Sequence, residues 1–192
     1  PPGQWLPQAS LPARPPLATI AARRSVRRYA ARALSGADLS ALLAGLQIDP
    51  PLLSPALRLD VIAHAVDGLA PGAWRYDAAR HALSAADTPF RGRAASRAAG
   101  LDQDVIGDAA AVLVVSMDRA LAAADADGPA RGYRHAFLEA GLIGERAYLG
   151  GAALGLGVCS VGAFYDDEIA ALAGIEPQHH WVLHLVAIGV PA

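Results

Sequence analysis

Lysine is absent from the chain: all sixteen basic residues are arginine. No Schiff base and no lysine general base can therefore operate from it. With the heavy use of alanine, the missing lysine points to a high-GC coding bias rather than to a demand of the fold. Cysteine is almost as scarce. Cys159 stands alone, which excludes an internal disulfide and makes a reducing, cytoplasmic compartment the expected setting. No apolar stretch is both long enough and charge-free enough to span a bilayer, and Pro1 to Pro16 lack the hydrophobic run of a signal peptide. A soluble protein with no membrane partner is expected. The absence of any G-x-x-x-x-G-K-[ST] segment sets aside the phosphate-loop NTPases.

What is present suits one domain with a substantial core, since 54% of the 192 residues are hydrophobic. Residues 1–16 are expected to form a proline-rich extension or linker, and residues 17–192 the domain. The net charge of -2 hides an asymmetry, because six arginines crowd between Arg14 and Arg32. That spacing implies a local anion site and no nucleic-acid surface.

The spacing predicts a short helix over 19–24 and a second from Ser35, where Ser35 and Asp38 have capping-box spacing, to about Leu46. Asp49 to Pro55 holds three prolines and is expected as a loop. Leu57 to Val61 alternates as a half-buried strand does, and the turn signals Asp67-Gly68 and Pro71-Gly72 introduce a meander through Trp74–Tyr76 and Ala82-Leu83. Phe90 to Asp108 is expected as a helix, and the unbroken apolar run Ala110 to Met117 as a central strand. A long helix from about Gly132 to Leu154 carries Gly141, Gly144, Gly150 and Gly151, each costing roughly 1 kcal/mol against alanine. Close approach of a backbone, a partner subunit or a flat ligand would explain them. Strands at Val158–Val161 and Trp181–Ile188, with a small helix near Asp166 between them, complete an α+β domain whose mixed central sheet is surrounded by helices.

Arg23-Arg24-Ser25-Val26-Arg27-Arg28-Tyr29 is the strongest chemical signal. Guanidinium groups fork onto phosphate oxygens, and a serine hydroxyl between them can donate once more to the same group. A solvated basic helix end, favoured by the C-terminal dipole, explains the same spacing slightly better on its own. Gly155-Leu156-Gly157 follows a helix rather than a strand, which argues against a dinucleotide fingerprint. His179, His180 and His184 make a tempting metal cluster, but adjacent strand side chains point to opposite faces, so no metal site is assigned. Asp166-Asp167-Glu168 suits a helix N-terminus, and Cys159 a small buried residue.

Taken together, these segments resemble the nitroreductase superfamily, FMN enzymes that open with an Arg-x-Ser-x-Arg-x-aromatic motif ahead of an amphipathic helix. Asp67-Gly68-Leu69-Ala70-Pro71-Gly72-Ala73-Trp74-Arg75-Tyr76-Asp77, with His81-Ala82-Leu83, is similar to a stretch of the SagB-type dehydrogenases within it. So are Arg131-Gly132-Tyr133-Arg134 to Gly141 and the segments ending in Gly162-Ala163-Phe164 and Gly189-Val190-Pro191. The resemblance implies an intertwined homodimer with FMN as cofactor. It implies that Arg23, Arg24, Ser25 and Arg27 hold the phosphate and the polar edge of the ring, and that Gly162 and Ala163 bring backbone N–H groups to flavin N5. Tyr133 is the candidate acid/base.

The implied activity is oxidation of an azoline-like heterocycle in natural-product biosynthesis, on a small-molecule or peptide substrate and alongside other biosynthetic enzymes. Two alternatives stand beside it: an NAD(P)H-dependent nitro or quinone reductase, and a non-catalytic scaffold subunit. The scaffold reading is motivated by Pro51-Leu52-Leu53-Ser54, which stands where SagB-type enzymes carry Pro-Ser-x-Gly.

Overall fold

The unbroken apolar run forms the middle of the molecule. In the computed structural model, which describes residues 4–8, 10–13, 15–46 and 50–192, Ala111–Asp118 (β5) is buried through its first seven residues. It lies between Leu57–Ala63 (β2) and His180–Gly189 (β7), and no edge of it meets water. Outside these run Gly72–Asp77 (β3), Ala82–Ala85 (β4) and the two-residue Gln4–Trp5 (β1) on one side, and Gly157–Val161 (β6) on the other. The sheet order is β1-β4-β3-β2-β5-β7-β6.

Every pairing between these strands is antiparallel, so the sheet is not the mixed one expected. Among the described residues, parallel pairing enters only as the isolated bridges Ser25–Val158 and Leu34–Val66. The reason lies in the connections. Strands β2, β3 and β4 follow one another through connections of eight and four residues, too short for the crossover that a parallel pair needs, and the helical connections return the chain antiparallel to its neighbours as well.

Side chains alternate across β5 and split the core in two. Leu113 and Val115 face Leu39, Leu42, Leu43 and Leu46 of Gly36–Leu46 (α2) and Ala140, Ile143 and Ala147 of the long helix. Val112 and Val114 face Ala99 of Gly92–Ala99 (α3), Val105 and Ile106 of Asp104–Gly107 (α4), and Ile169 and Ala173 of Asp166–Ala173 (α7). Helices therefore cover both faces, as the sequence predicts.

Local boundaries differ from expectation where backbone geometry decides them. The first helix is Pro16–Ala22 (α1), starting earlier because a proline suits the first turn. The single helix expected over 90–108 is α3 and α4, broken at Leu101 and Asp102, both with φ near +57°. A short helix, Arg119–Ala123 (α5), precedes the long Pro129–Leu154 (α6), whose proline N-terminus follows Gly128 at φ 92°. In the proline-rich stretch, Gln4 and Trp5 pair with β4, and Pro7 accepts a hydrogen bond from the Ser40 hydroxyl at 2.5 Å. Pro1 to Gly3, Arg14 and Asp49, which the sequence reading touches, lie outside the described residues.

Most of the α6 glycines have their reason inside the protomer. A side chain at Gly150 would meet Leu42 at 2.8 Å, one at Gly151 would collide with Val158, and one at Gly144 would meet His184 at 3.1 Å. Gly141 faces open space.

A buried histidine ties α3 to the sheet. His64 Nδ1–H donates to the Ala109 carbonyl at 3.0 Å, so Nε2 accepts the Ser96 hydroxyl at 2.9 Å. Burial, aided by the Arg93 charge, pushes its pKa down from 6.5 to about 4. In that interval the unfolded chain binds the proton that folded His64 refuses, so this stabilisation is complete above pH 6.5 and is lost as pH falls towards 4. Wild-type denaturation free energy is expected to drop over that window by an amount that includes about 3 kcal/mol from His64. The drop should shrink in His64→Asn; an equal drop in both proteins would refute the assignment.

Candidate functional site

The basic motif runs beside the edge strand β6 and the end of β7 and is fixed there by its aromatic end. Val26 N–H donates to the Val158 carbonyl at 3.0 Å and Ala30 N–H to the Val190 carbonyl at 2.9 Å. Between them the Tyr29 ring enters a slot that two glycines leave open: a side chain at Gly189 would come within 2.7 Å of the ring, and one at Gly157 within 3.0 Å. The Tyr29 hydroxyl donates to the Ala187 carbonyl at 3.1 Å, and burial pushes its pKa far above the ordinary phenol range. Tyr29 is thus an anchor, not an acid.

The arginines that follow α1 divide in role. The Arg24 guanidinium turns back onto the Ala21 and Arg23 carbonyls at 2.8 and 2.7 Å, closing the end of the helix. For this residue the helix-end explanation describes the geometry. Arg23 instead lies over the Tyr148 ring of α6, 5.0 Å from its centroid, with Glu145 at 3.9 Å. Ser25 Oγ is 2.9 Å from the Tyr148 hydroxyl. Arg27 is exposed, and its charge reaches the Cys159 thiol, which burial nonetheless holds above its ordinary pKa.

Strand β6 joins this cluster to the second candidate pair. Ser25 bridges Val158 near the start of the strand, whereas Gly162 and Ala163 follow its end, about 13 Å further along at the usual rise. Both residues are exposed, nothing lies within 4 Å of the position a Gly162 side chain would take, and Gln103 Nε2 donates to the Ala163 carbonyl at 2.8 Å.

Tyr133 lies elsewhere within the protomer. It is near the N-terminal end of α6, about 22 Å along the axis from Tyr148. There it packs with Phe137 at 4.7 Å and Trp181 at 6.2 Å, the latter also carrying Arg119 at 4.6 Å. Tyr133, Trp181 and Arg119 border a cavity of roughly 430 Å³ with Met117 and Pro129.

The loop Pro51–Ser54 is held through its backbone. Buried Glu139 of α6 accepts the Leu53 N–H at 2.8 Å and the Leu52 N–H at 3.4 Å. Ser54 is buried, and its hydroxyl accepts the Ala56 N–H at 3.2 Å.

The histidines of the C-terminal strand do not converge: His179 is exposed beside Glu176, His180 lies 3.9 Å from Asp118, and His184 faces Gly144. Among the described residues the side chains whose ligand atoms do converge are Asp125, Asp127 and His135, within 4.8 Å of one another. His135 Nδ1 and the Asp127 N–H both bond the Asp125 carboxylate, a clip between loop and helix. Sequence reasoning missed Glu145 and Tyr148, whose distance along the chain from the motif gave no local signal.

An antiparallel sheet clad by helices on both faces is an α+β architecture, with the arginine-serine cluster and the Gly162-Ala163 segment at the two ends of one strand. The chain belongs to the nitroreductase family, whose model matches residues 20–190 and whose members are generally FMN-dependent oxidoreductases. A Methanocaldococcus jannaschii protein named as a nitroreductase is 30% identical over 164 residues, 80% of this chain and 81% of that protein. An Anabaena variabilis structure described as a nitroreductase has TM-score 0.79 and 27% identity over 91% of this chain, which spans only 38% of that one. The Escherichia coli microcin synthetase McbBCD complex with truncated pro-MccB17 shares the fold, with TM-score 0.71 and 16% identity over 91% of this chain and 73% of that one. Among the described residues no helix is long and apolar enough to cross a membrane.

Since the Tyr29 slot fixes the motif, filling it should dislodge the motif. Gly189→Ala is expected to cost about 1–3 kcal/mol, as overpacking of a tight contact does. Chemical denaturation reads this directly, and an unchanged midpoint would show that the slot does not hold Tyr29 in place.

Proposed function

We propose that this chain is an FMN-dependent dehydrogenase of the SagB type, acting as a homodimer on an azoline-like heterocycle of a small molecule or peptide. The observation that carries the proposal is the division of β6. Its start lies beside phosphate-type donors and its end beside exposed backbone N–H groups, the two poles an extended flavin mononucleotide requires. The donor set fits a phosphate monoester: Arg23 and Arg27 supply charge, and Ser25 one hydroxyl. Arg24 contributes charge while its guanidinium holds the helix end. Gly162, lacking a side chain, leaves its own N–H and that of Ala163 approachable.

FMN held by Arg23, Ser25 and Arg27 would supply two-electron redox chemistry, with the substrate as hydride donor and oxygen as final acceptor. The protein holds the phosphate, orients the ring against the Gly162-Ala163 backbone, and screens the site. Tyr133 is proposed as the acid/base for the site of the second copy, because its exposed side chain lies on the α6 face assigned to that copy. The exposed side chains Tyr133, Phe137 and Leu138, with Gly141 next to them, form the α6 face assigned to that second copy. The SagB reading is supported by the pattern over residues 67–83 and by the fold shared with McbBCD. The lone buried Cys159 suits a reducing cytoplasm.

A visible spectrum of purified protein, with and without added FMN, tests the reading. Flavin bands are expected, and Arg27→Ala should weaken FMN affinity about tenfold or more. Protein that shows no flavin band after incubation with FMN would favour the scaffold alternative. Anaerobic bleaching by NADPH alone would favour the nitro or quinone reductase. The dimer is checked by sedimentation equilibrium: wild type is expected at twice the protomer mass, with Leu138→Asp shifted towards the protomer. A monomeric wild type would remove the Tyr133 assignment.

A further inference from the structure

The Tyr148 hydroxyl stands between two groups that fix its role. The Ser160 backbone N–H donates to its oxygen at 2.9 Å, and Ser25 Oγ lies 2.9 Å away on the other side. A backbone N–H can only donate, so the phenolic proton remains available for a different acceptor. The neighbouring Cys159 is held as a neutral thiol by burial and is a poor acceptor, which leaves Ser25 Oγ as the good one in reach.

We propose that Tyr148 is a positioning residue that turns the Ser25 hydroxyl proton outward, towards a phosphate monoester bound by the basic motif. The inference rests on the FMN-phosphate reading above. Ser25 has one proton. If that proton is given to an anion, the Ser25 oxygen must accept from elsewhere, and Tyr148 is the donor placed to supply it. The chain from Ser160 N–H through Tyr148 O–H and Ser25 O–H to phosphate then runs in one direction, and each bond polarises the next. The same ring carries the Arg23 guanidinium on its face, while Glu145, one turn earlier on α6, holds that guanidinium from the side. Two residues on one helix face thus set both a charge and a directed hydroxyl of a motif more than a hundred positions away in the chain. The recognised group is the phosphate, not the ring, so the effect should discriminate FMN from riboflavin.

Tyr148→Phe, which keeps the ring beneath Arg23, tests this with Ser25→Ala and the double variant. Dissociation constants for FMN and for riboflavin are measured by flavin fluorescence quenching on each protein. Tyr148→Phe is expected to weaken FMN about tenfold and riboflavin less than about twofold. In the Ser25→Ala background it should change FMN affinity less than about twofold, because the hydroxyl it orients is gone. Equal losses for FMN and riboflavin, or the same FMN loss in both backgrounds, would mean that Tyr148 only supports the local fold, and would overturn the proposal. Unchanged FMN affinity in Tyr148→Phe would overturn it as well. A wild-type protein that binds neither flavin would remove the phosphate reading itself and the inference with it; wild type that binds FMN while Tyr148→Phe fails these criteria removes the inference alone.

Discussion

The insertion of Tyr29 between Gly157 and Gly189 is the contact through which the basic motif acquires a position. Without it, Arg23 to Arg28 would be an exposed linker between two helices, and its guanidinium groups would sample many directions at an entropic cost to any ligand they met. With it, the motif is bonded at Val26 to β6 and at Ala30 to Val190 just past β7, and the ring cannot shift without losing its hydrogen bond to Ala187. The two glycines are needed for space rather than for an unusual backbone, since neither adopts a positive φ. The same slot packs against the Cys159 and Val161 side of the core, so the anion cluster rests on a well-packed region.

Helix α6 is the second organiser, and it serves two regions at once. Its C-terminal half lies under the motif with Glu145 and Tyr148, and it approaches β6 closely because Gly151 meets Val158. Its N-terminal half presents Tyr133, Phe137 and Leu138 outward. A helix of 26 residues is about 39 Å long, so the two regions are mechanically linked yet chemically separate within one protomer.

Much of this was legible in the sequence where the signal was local. The arginine-serine motif, the central strand and the long glycine-bearing helix each announce themselves within a short window, and the family resemblance joined them in the right order. Strand direction was not legible: alternation and apolar runs give the period of a strand but not which way its neighbour runs, and the sheet proved antiparallel. The break between α3 and α4 was marked only by Gly100, which caps α3; the positive φ that turns the chain falls on the next two residues, Leu101 and Asp102, which seldom adopt it. Tyr148 was missed for a different reason: its partnership with Ser25 spans the chain and exists only after α6 has docked.

The loop at Pro51 shows how a motif can depart from its family while the place it occupies persists. Side chains at 52 and 53 are exposed leucines, so whatever faces the loop meets alkyl surface where the resemblance leads one to expect a hydroxyl. The backbone, however, is gripped by the buried Glu139 carboxylate through the two N–H groups of those leucines. A buried carboxylate stripped of these partners would carry a large desolvation cost, so the loop and the helix hold each other in place irrespective of the side chains at 52 and 53. The one hydroxyl of the segment, on Ser54, is turned inward to the Ala56 N–H and is spent on the turn. The leucines therefore set the chemistry offered at the loop surface, while the backbone grip is independent of them. A flavin ring resting there would gain apolar contact and lose a hydrogen bond, which should shift its reactivity more than its position.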